Sequence, residues 1–215
     1  MEGTMKFIKD GYKIKSETII KNLNKRNMEG YYVGTKEEAI EKVMSMIKQD
    51  DVVSWGGSYT IDELGIKKLL EEKQISVIDR DKAKSPEERV KLMKQALTAD
   101  VFLTSANAIT MDGELMNVDG NGNRLAAYNY GPDSVIVVAG MNKVVPELSA
   151  ALGKIRLDAT VPNAVRLNCQ TPCSITGKCT ECTMKDTLCG QILVTRYCKP
   201  QNRIKVILVG DHLGF

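Results

Sequence analysis

Short apolar runs, each closed by a turn signal and followed by a capped amphipathic helix, recur along this chain and restrict it to an α/β architecture. Asp51-Val-Val-Ser-Trp55 is one such run; Gly56-Gly57 ends it, and Thr60-x-x-Glu63 predicts a capping box for a helix through Leu69 and Leu70. Ile75 to Ile78 reads as the next strand. Ser85-Pro86-Glu87-Glu88 then places proline at the first helical position ahead of Val90, Met93 and Leu97. Val101 to Leu103 and Val135 to Ala139 read as buried strands, Pro146 to Leu157 as a helix, and Ile192 to Thr195 and Ile204 to Val209 as closing strands. Such alternation predicts a mainly parallel sheet with helices on both faces.

Two segments depart from the alternation. Thr110 to Val118 centres an Asp-Gly pair between apolar positions, which predicts a β-hairpin excursion. Residues 1–30 carry Phe7, Ile8, Ile14, Ile19, Ile20 and Leu23 at loose helical spacing, an amphipathic segment suited to packing on the core or on another subunit. Thr35-x-x-Glu38 caps the helix that follows. With 215 residues, 43% of them apolar, residues 31–215 suffice for one α/β domain behind that helical segment.

Thirty basic and twenty-seven acidic residues are interleaved, which leaves no phosphate-backbone footprint and argues against nucleic acid as a partner. The first ten residues form no apolar leader, and no run approaches the length of a membrane span, so a soluble cytoplasmic protein is expected. Homo-oligomerisation is left open.

All six cysteines fall between Cys169 and Cys198, and four form the run Cys173-x5-Cys179-x2-Cys182-x6-Cys189. A Cys-x-x-Cys core with flanking cysteines can close a four-sulfur shell around zinc or around a [4Fe–4S] cluster, and the spacing does not separate the two. A reducing compartment favours metal over disulfides for thiols so clustered. Gly177 and Gly190 suit a loop wrapped around a centre, and Cys169 and Cys198 are spares or neighbours.

Three loops are expected at one end of the sheet. Gly56, Gly57, Ser58 and Thr60 sit between a strand and a helix, where backbone amides, hydroxyls and a helix N-terminus receive an anion; a plain capped turn would look the same. Asn107 and the patch Asp119-Gly-Asn-Gly-Asn-Arg124, including Asn123, offer an arginine that could clamp a carboxylate or phosphate, with Asp119 orienting it or moving a proton. Gly140-Met-Asn142-Lys143 follows a third strand and adds a point charge. Asp119, Arg124 and Lys143 are therefore the candidate catalytic residues. His212 is the sole histidine and reads as a tail residue, which excludes a multi-histidine metal site.

Ser54-Trp-Gly-Gly-Ser-Tyr-Thr-Ile-Asp-Glu-Leu-Gly65, the long stretch Thr104 to Arg124, and Val209-Gly-Asp-His-Leu-Gly-Phe215 together resemble the LUD domain, the lactate-utilisation family that includes LutC and YkgG. The resemblance implies a fold of the NagB/RpiA/CoA-transferase-like superfamily, whose members bind anionic substrates with a glycine loop after a strand. It also implies a role in lactate oxidation beside iron–sulfur subunits. The four-cysteine run lies outside those three stretches. Taken together, the sequence predicts a small-anion site and a cysteine-ligated metal centre in lactate-type redox metabolism. Two other readings remain: a stand-alone enzyme acting on a phosphorylated, CoA-linked or folate-like substrate with a structural four-cysteine zinc site, and a non-catalytic subunit that docks through its N-terminal segment.

Overall fold

The computed structural model describes residues 2–215; Met1, the first residue of the expected helical segment, lies outside them. In chain order the elements are α1 (Glu2–Lys25), β1 (Glu29–Val33), α2 (Lys36–Met44), β2 (Val52–Trp55), α3 (Tyr59–Glu63), α4 (Ile66–Glu72), β3 (Ser76–Ile78), α5 (Pro86–Gln95), β4 (Val101–Thr104), β5 (Ala108–Thr110), β6 (Leu115–Asp119) and α6 (Asn123–Asn129). The chain continues with β7 (Ser134–Gly140), β8 (Val144–Val145), α7 (Leu148–Lys154), α8 (Thr160–Arg166), α9 (Pro172–Thr176), β9 (Gln191–Thr195) and β10 (Ile204–Val209).

Six strands form one wholly parallel sheet in the order β1-β10-β7-β4-β2-β3. Alternate residues of its central strands face opposite sides, as the two-residue period of a strand requires. Phe102, Val135, Val137, Val206 and Leu208 pack against Ile19 and Leu23 of α1 and Ala127 and Tyr128 of α6. Their neighbours Val101, Leu103, Ile136, Val138, Ile207 and Val209 pack on the other face against α2, α3 and α4. Both faces are covered, which accounts for the nearly unbroken apolar runs in β7 and β10.

The hairpin forms as expected: β5 and β6 pair antiparallel, and Gly113 turns between them at φ +80° with no room for a Cβ, since one would meet the Leu23 amide nitrogen at 2.8 Å. It belongs to a second sheet, β8-β5-β6-β9, closed over its own small core by Ala151 and Ile155. The segment Ile192 to Thr195, expected to close the main sheet, pairs antiparallel with β6 instead. An exposed hairpin edge needs a partner, and β9 supplies it.

Three further departures have local causes. Strand β1, which the sequence reading does not contain, is an edge strand of intermediate burial throughout and so shows no in–out alternation. The helix after Pro146 does not stop at Leu157; it passes through a π-helical turn at Ile155–Ala159 into α8. Pro162 cannot donate a backbone hydrogen bond, and the wider turn precedes it. Thr60 and Glu63 do not form a capping box: Ser58 takes the N-cap position of α3, Thr60 Oγ1 accepts from Lys143, and Glu63 accepts from Lys36 and the Gly214 amide.

Helix α1 is a single helix whose inner half alone meets the core. Ile19 and Leu23 are fully buried, while Phe7 is 74% exposed. Phe7→Ser should therefore change stability by no more than about 0.5 kcal/mol, read from thermal melting of the two proteins. Among the described residues no helix is long and apolar enough to cross a membrane.

Candidate functional site

Strand order dictates where a ligand can enter. From β2 the chain moves outward to β3, returns to β4 on the opposite side of β2, and thereafter proceeds away from it. The loops leaving β2 and β4 thus diverge and open a crevice at the carboxyl ends of the strands. A cavity of about 310 Å³ occupies that crevice. Its walls come from the loops after β2 (Gly57, Ser58), β3 (Arg80), β4 (Ser105, Asn107) and β7 (Lys143), with Phe215 entering after β10. Arg80, Arg89, Arg124, Lys143 and Arg166 line it against the single carboxylate Asp119. Low-dielectric walls with one sign of charge concentrate an anion.

Lys143 is the chemically sharpest group. Its side chain is buried, and Nζ donates to Thr60 Oγ1 and Ser105 Oγ, both at 2.9 Å. Burial, and then the nearby Arg124 and Lys154 cations, bring its pKa down from 10.5 to about 7. An amine so placed changes protonation near neutrality, as acid–base and nucleophilic lysines do.

Arg124 forms part of the cavity floor with its guanidinium already engaged. Nη1 donates to Ser105 O (3.0 Å) and Asn117 Oδ1 (2.9 Å), and Nη2 donates to Asn107 Oδ1 (2.9 Å) and Val118 O (2.7 Å). Asp119 accepts from the Arg124 backbone amide at 3.1 Å and sits 3.9 Å from Nε. The glycine pair has a steric reason tied to these cations. A Cβ on Gly56 would meet the Arg124 stem at 2.7 Å, and one on Gly57 would meet Arg80 Nη2 at 2.5 Å.

Of the residues expected at the site, Gly57, Ser58, Thr60, Asn107, Asp119, Asn123, Arg124 and Lys143 do line the one cavity. Gly56 serves from behind it. Asn142 faces the chain end, where its Oδ1 accepts from the Leu213 amide and its Nδ2 donates to Gly214 O. Ser58 Oγ and Arg80 Nε are buried without hydrogen-bond partners, Nε lying 3.8 Å from Asp81 Oδ1. With its amide oxygen turned toward Arg80, Asn123 accepts from Nη1 at 2.9 Å.

Arg80, Ser105, Arg166, Tyr59 and Phe215 are wall residues that the sequence reading passed over. Arg80 lies in Asp79-Arg-Asp-Lys82, which looks like a solvated charge cluster; only its position directly after β3 marks it. Phe215 stacks on Tyr59 with ring centroids 4.9 Å apart, and Arg166 lies over the same tyrosine ring. His212 itself is exposed, as expected of a tail residue.

The cysteine loop forms the neighbouring wall. Cys173, Cys179, Cys182 and Cys189 all line a separate cavity of about 180 Å³, together with Arg156, Thr171 and Thr187. All six cysteines are free thiols. Among the described residues no three histidine, cysteine or acidic side chains gather tightly enough to hold a metal ion. Thr160 and Leu188 line both cavities, and Gly190 packs so closely on Gly120 that a Cβ would meet its carbonyl oxygen at 2.9 Å.

These features place the molecule in a class: an α/β protein with a cation-lined crevice at the switch point of a parallel sheet. The LUD domain family model matches residues 16–209, and the chain belongs to that family. A crystal structure of a DUF162 family protein from Deinococcus radiodurans is similar over 92% of this chain and 98% of that one, with TM-score 0.51 and 13% identity, a likeness of fold alone. The delta subunit of eIF2B from Chaetomium thermophilum matches 55% of this chain and 50% of its own, at TM-score 0.34 and 19% identity. No curated protein matches the sequence.

Proposed function

We propose that this LUD-domain protein serves the redox metabolism of lactate or a related organic acid, holding a small carboxylate in the switch-point cavity and a metal centre between the four cysteines of residues 173–189. The observation that carries the first half is a buried lysine, Lys143, facing the same cavity as Arg80, Arg124 and Arg166. Arg80 and Ser58 would take the carboxylate oxygens. Lys143 would hold or release a proton beside a hydroxyl or keto oxygen. A volume of about 310 Å³ lies at the small end of ligand pockets, which suits a short-chain acid better than a whole CoA or folate. Iron–sulfur subunits of organic-acid oxidation are the partners that suit this reading, and the cytoplasm, where thiols stay reduced, is the compartment.

Titration calorimetry with L-lactate, pyruvate and inorganic phosphate tests the site. Arg80→Met should weaken the binding of whichever anion the protein takes by at least about tenfold, the loss of one charge-assisted contact. Equal affinity in the variant would remove Arg80 from the site. A wild-type protein that binds none of the three anions would sink the carboxylate reading.

A further inference from the structure

We propose that Cys173, Cys179, Cys182 and Cys189 cage a polynuclear iron–sulfur cluster of the [4Fe–4S] type and not a single zinc ion. This rests on the metal-centre half of the proposed function and specifies it. A tetrahedral zinc site draws its sulfurs to about 2.3 Å from one point, hence to within about 4 Å of one another, with no space left between them. Here the four cysteines line one cavity of about 180 Å³, and among the described residues no three histidine, cysteine or acidic side chains are gathered as a single ion requires. A cubane would suit such a cavity, since its thiolate ligands stand at the outside of a multi-atom core.

The surroundings distinguish these four cysteines from the other two. Cys173 Sγ lies 3.3 Å from Thr171 Oγ1, Cys182 Sγ 3.7 Å from Thr187 Oγ1 and Cys189 Sγ 3.8 Å from Thr160 Oγ1, while Cys179 Sγ accepts from the Glu181 amide at 3.4 Å. Each sulfur therefore has a hydroxyl or amide neighbour of the kind that tunes cluster thiolates. Cys198 differs: its thiol donates to a carbonyl, Pro200 O, at 3.2 Å, whereas the Thr187 hydroxyl beside Cys182 can reverse its bond and donate to a thiolate. Cys169 Sγ lies outside the cage and has no such neighbour. Arg156 completes the shell. It lines the cage with Nη1 paired to Glu181 Oε1 at 2.8 Å and Nε buried without a hydrogen-bond partner, so part of the guanidinium stays uncommitted beside the net negative charge of a cubane held by four thiolates.

The test uses the full chain, purified without oxygen from iron-supplied cells and analysed for iron, acid-labile sulfide and zinc, with absorption and Mössbauer spectra before and after dithionite. The expected result is roughly four iron and four sulfide per chain and a broad visible absorption that dithionite bleaches. Cys179→Ser and Cys182→Ser should each lose most of the iron, while Cys169→Ser and Cys198→Ser keep it. Far-UV circular dichroism of all four variants checks that the fold survives. About one zinc per chain without sulfide would overturn the cluster and leave the metal-centre reading standing. A protein that takes up neither metal nor sulfide, even after reconstitution with ferrous iron and sulfide, would overturn both, and calorimetry would still judge the anion site separately. Equal iron loss from Cys169→Ser would refute the assignment of ligands.

Discussion

Arg124→Met should destabilise the fold by about 3–5 kcal/mol, because four acceptors lose a charged donor at about 1–3 kcal/mol each, partly offset by relief from burying a charge and by the donors that Asn107 Oδ1 and Ser105 O keep in the Val118 amide and the Thr104 hydroxyl. Methionine keeps an unbranched stem where Gly56 makes room, so the change isolates the guanidinium. What disappears is the tie between the loop after β4, through Ser105 O and Asn107 Oδ1, and strand β6, through Asn117 Oδ1 and Val118 O. Urea denaturation reads the effect as a lower midpoint with an unchanged slope. Arg80→Met, in the wall of the same cavity, should do the reverse and cost affinity with little stability. A fall of less than about 1 kcal/mol in Arg124→Met, the ordinary size of one hydrogen bond, would mean the guanidinium is not what holds the cavity floor.

That contrast marks a limit of the sequence. The pattern of Asp119 to Arg124 is enough to place an arginine beside the glycine loop, since both lie next to turns at the carboxyl edge of a parallel sheet. It does not say how many acceptors surround the guanidinium, because Ser105, Asn117 and Val118 come from segments whose proximity only the tertiary fold creates. Arg80 was invisible for the converse reason. Flanked by Asp79, Asp81 and Lys82, it has the local chemistry of a solvated turn, and its burial follows from Gly57 leaving space across the crevice.

The parallel sheet itself was legible, for strands buried on both faces leave apolar runs such as Val135 to Ala139 that local pattern alone identifies. The half-buried strands were legible only in part. β1 has no alternation to show, and β9 reads as an ordinary strand until the exposed edge of the β5–β6 hairpin is known to need a partner. Thr60 illustrates the same limit at a single residue. Thr60-x-x-Glu63 has the spacing of a capping box, yet Lys143, distant in sequence, takes the hydroxyl, and a long-range charge outweighs a local cap.

Lys143 carries the second large effect, a pH dependence of anion binding. With a free-protein pKa of about 7, set mainly by burial, the amine is largely neutral above neutrality. A carboxylate held nearby by Arg80 favours the ammonium form and raises that pKa, so the complex holds more protons than the free protein does. By linkage the affinity is level below about pH 7 and falls roughly tenfold per unit above it, up to the pKa of the complex. Between pH 7 and 9 that amounts to as much as about a hundredfold, or close to 2.7 kcal/mol. Pyruvate is the suitable probe, since its own carboxylate does not titrate in that range. Lys143→Met should bind weakly and with no such slope, while Lys143→Arg, charged throughout, should lose the slope whatever its affinity. The unliganded protein gives an independent check of sign. Its unfolded chain takes a proton at Lys143 near pH 10.5 and its folded chain near 7, so the contribution of this residue to stability grows as pH rises between those values. A wild-type affinity for pyruvate that stays constant from pH 7 to 9 would show that the amine does not face the bound anion, and the proposed division of labour, with Arg80 holding charge and Lys143 moving a proton, would fall with it.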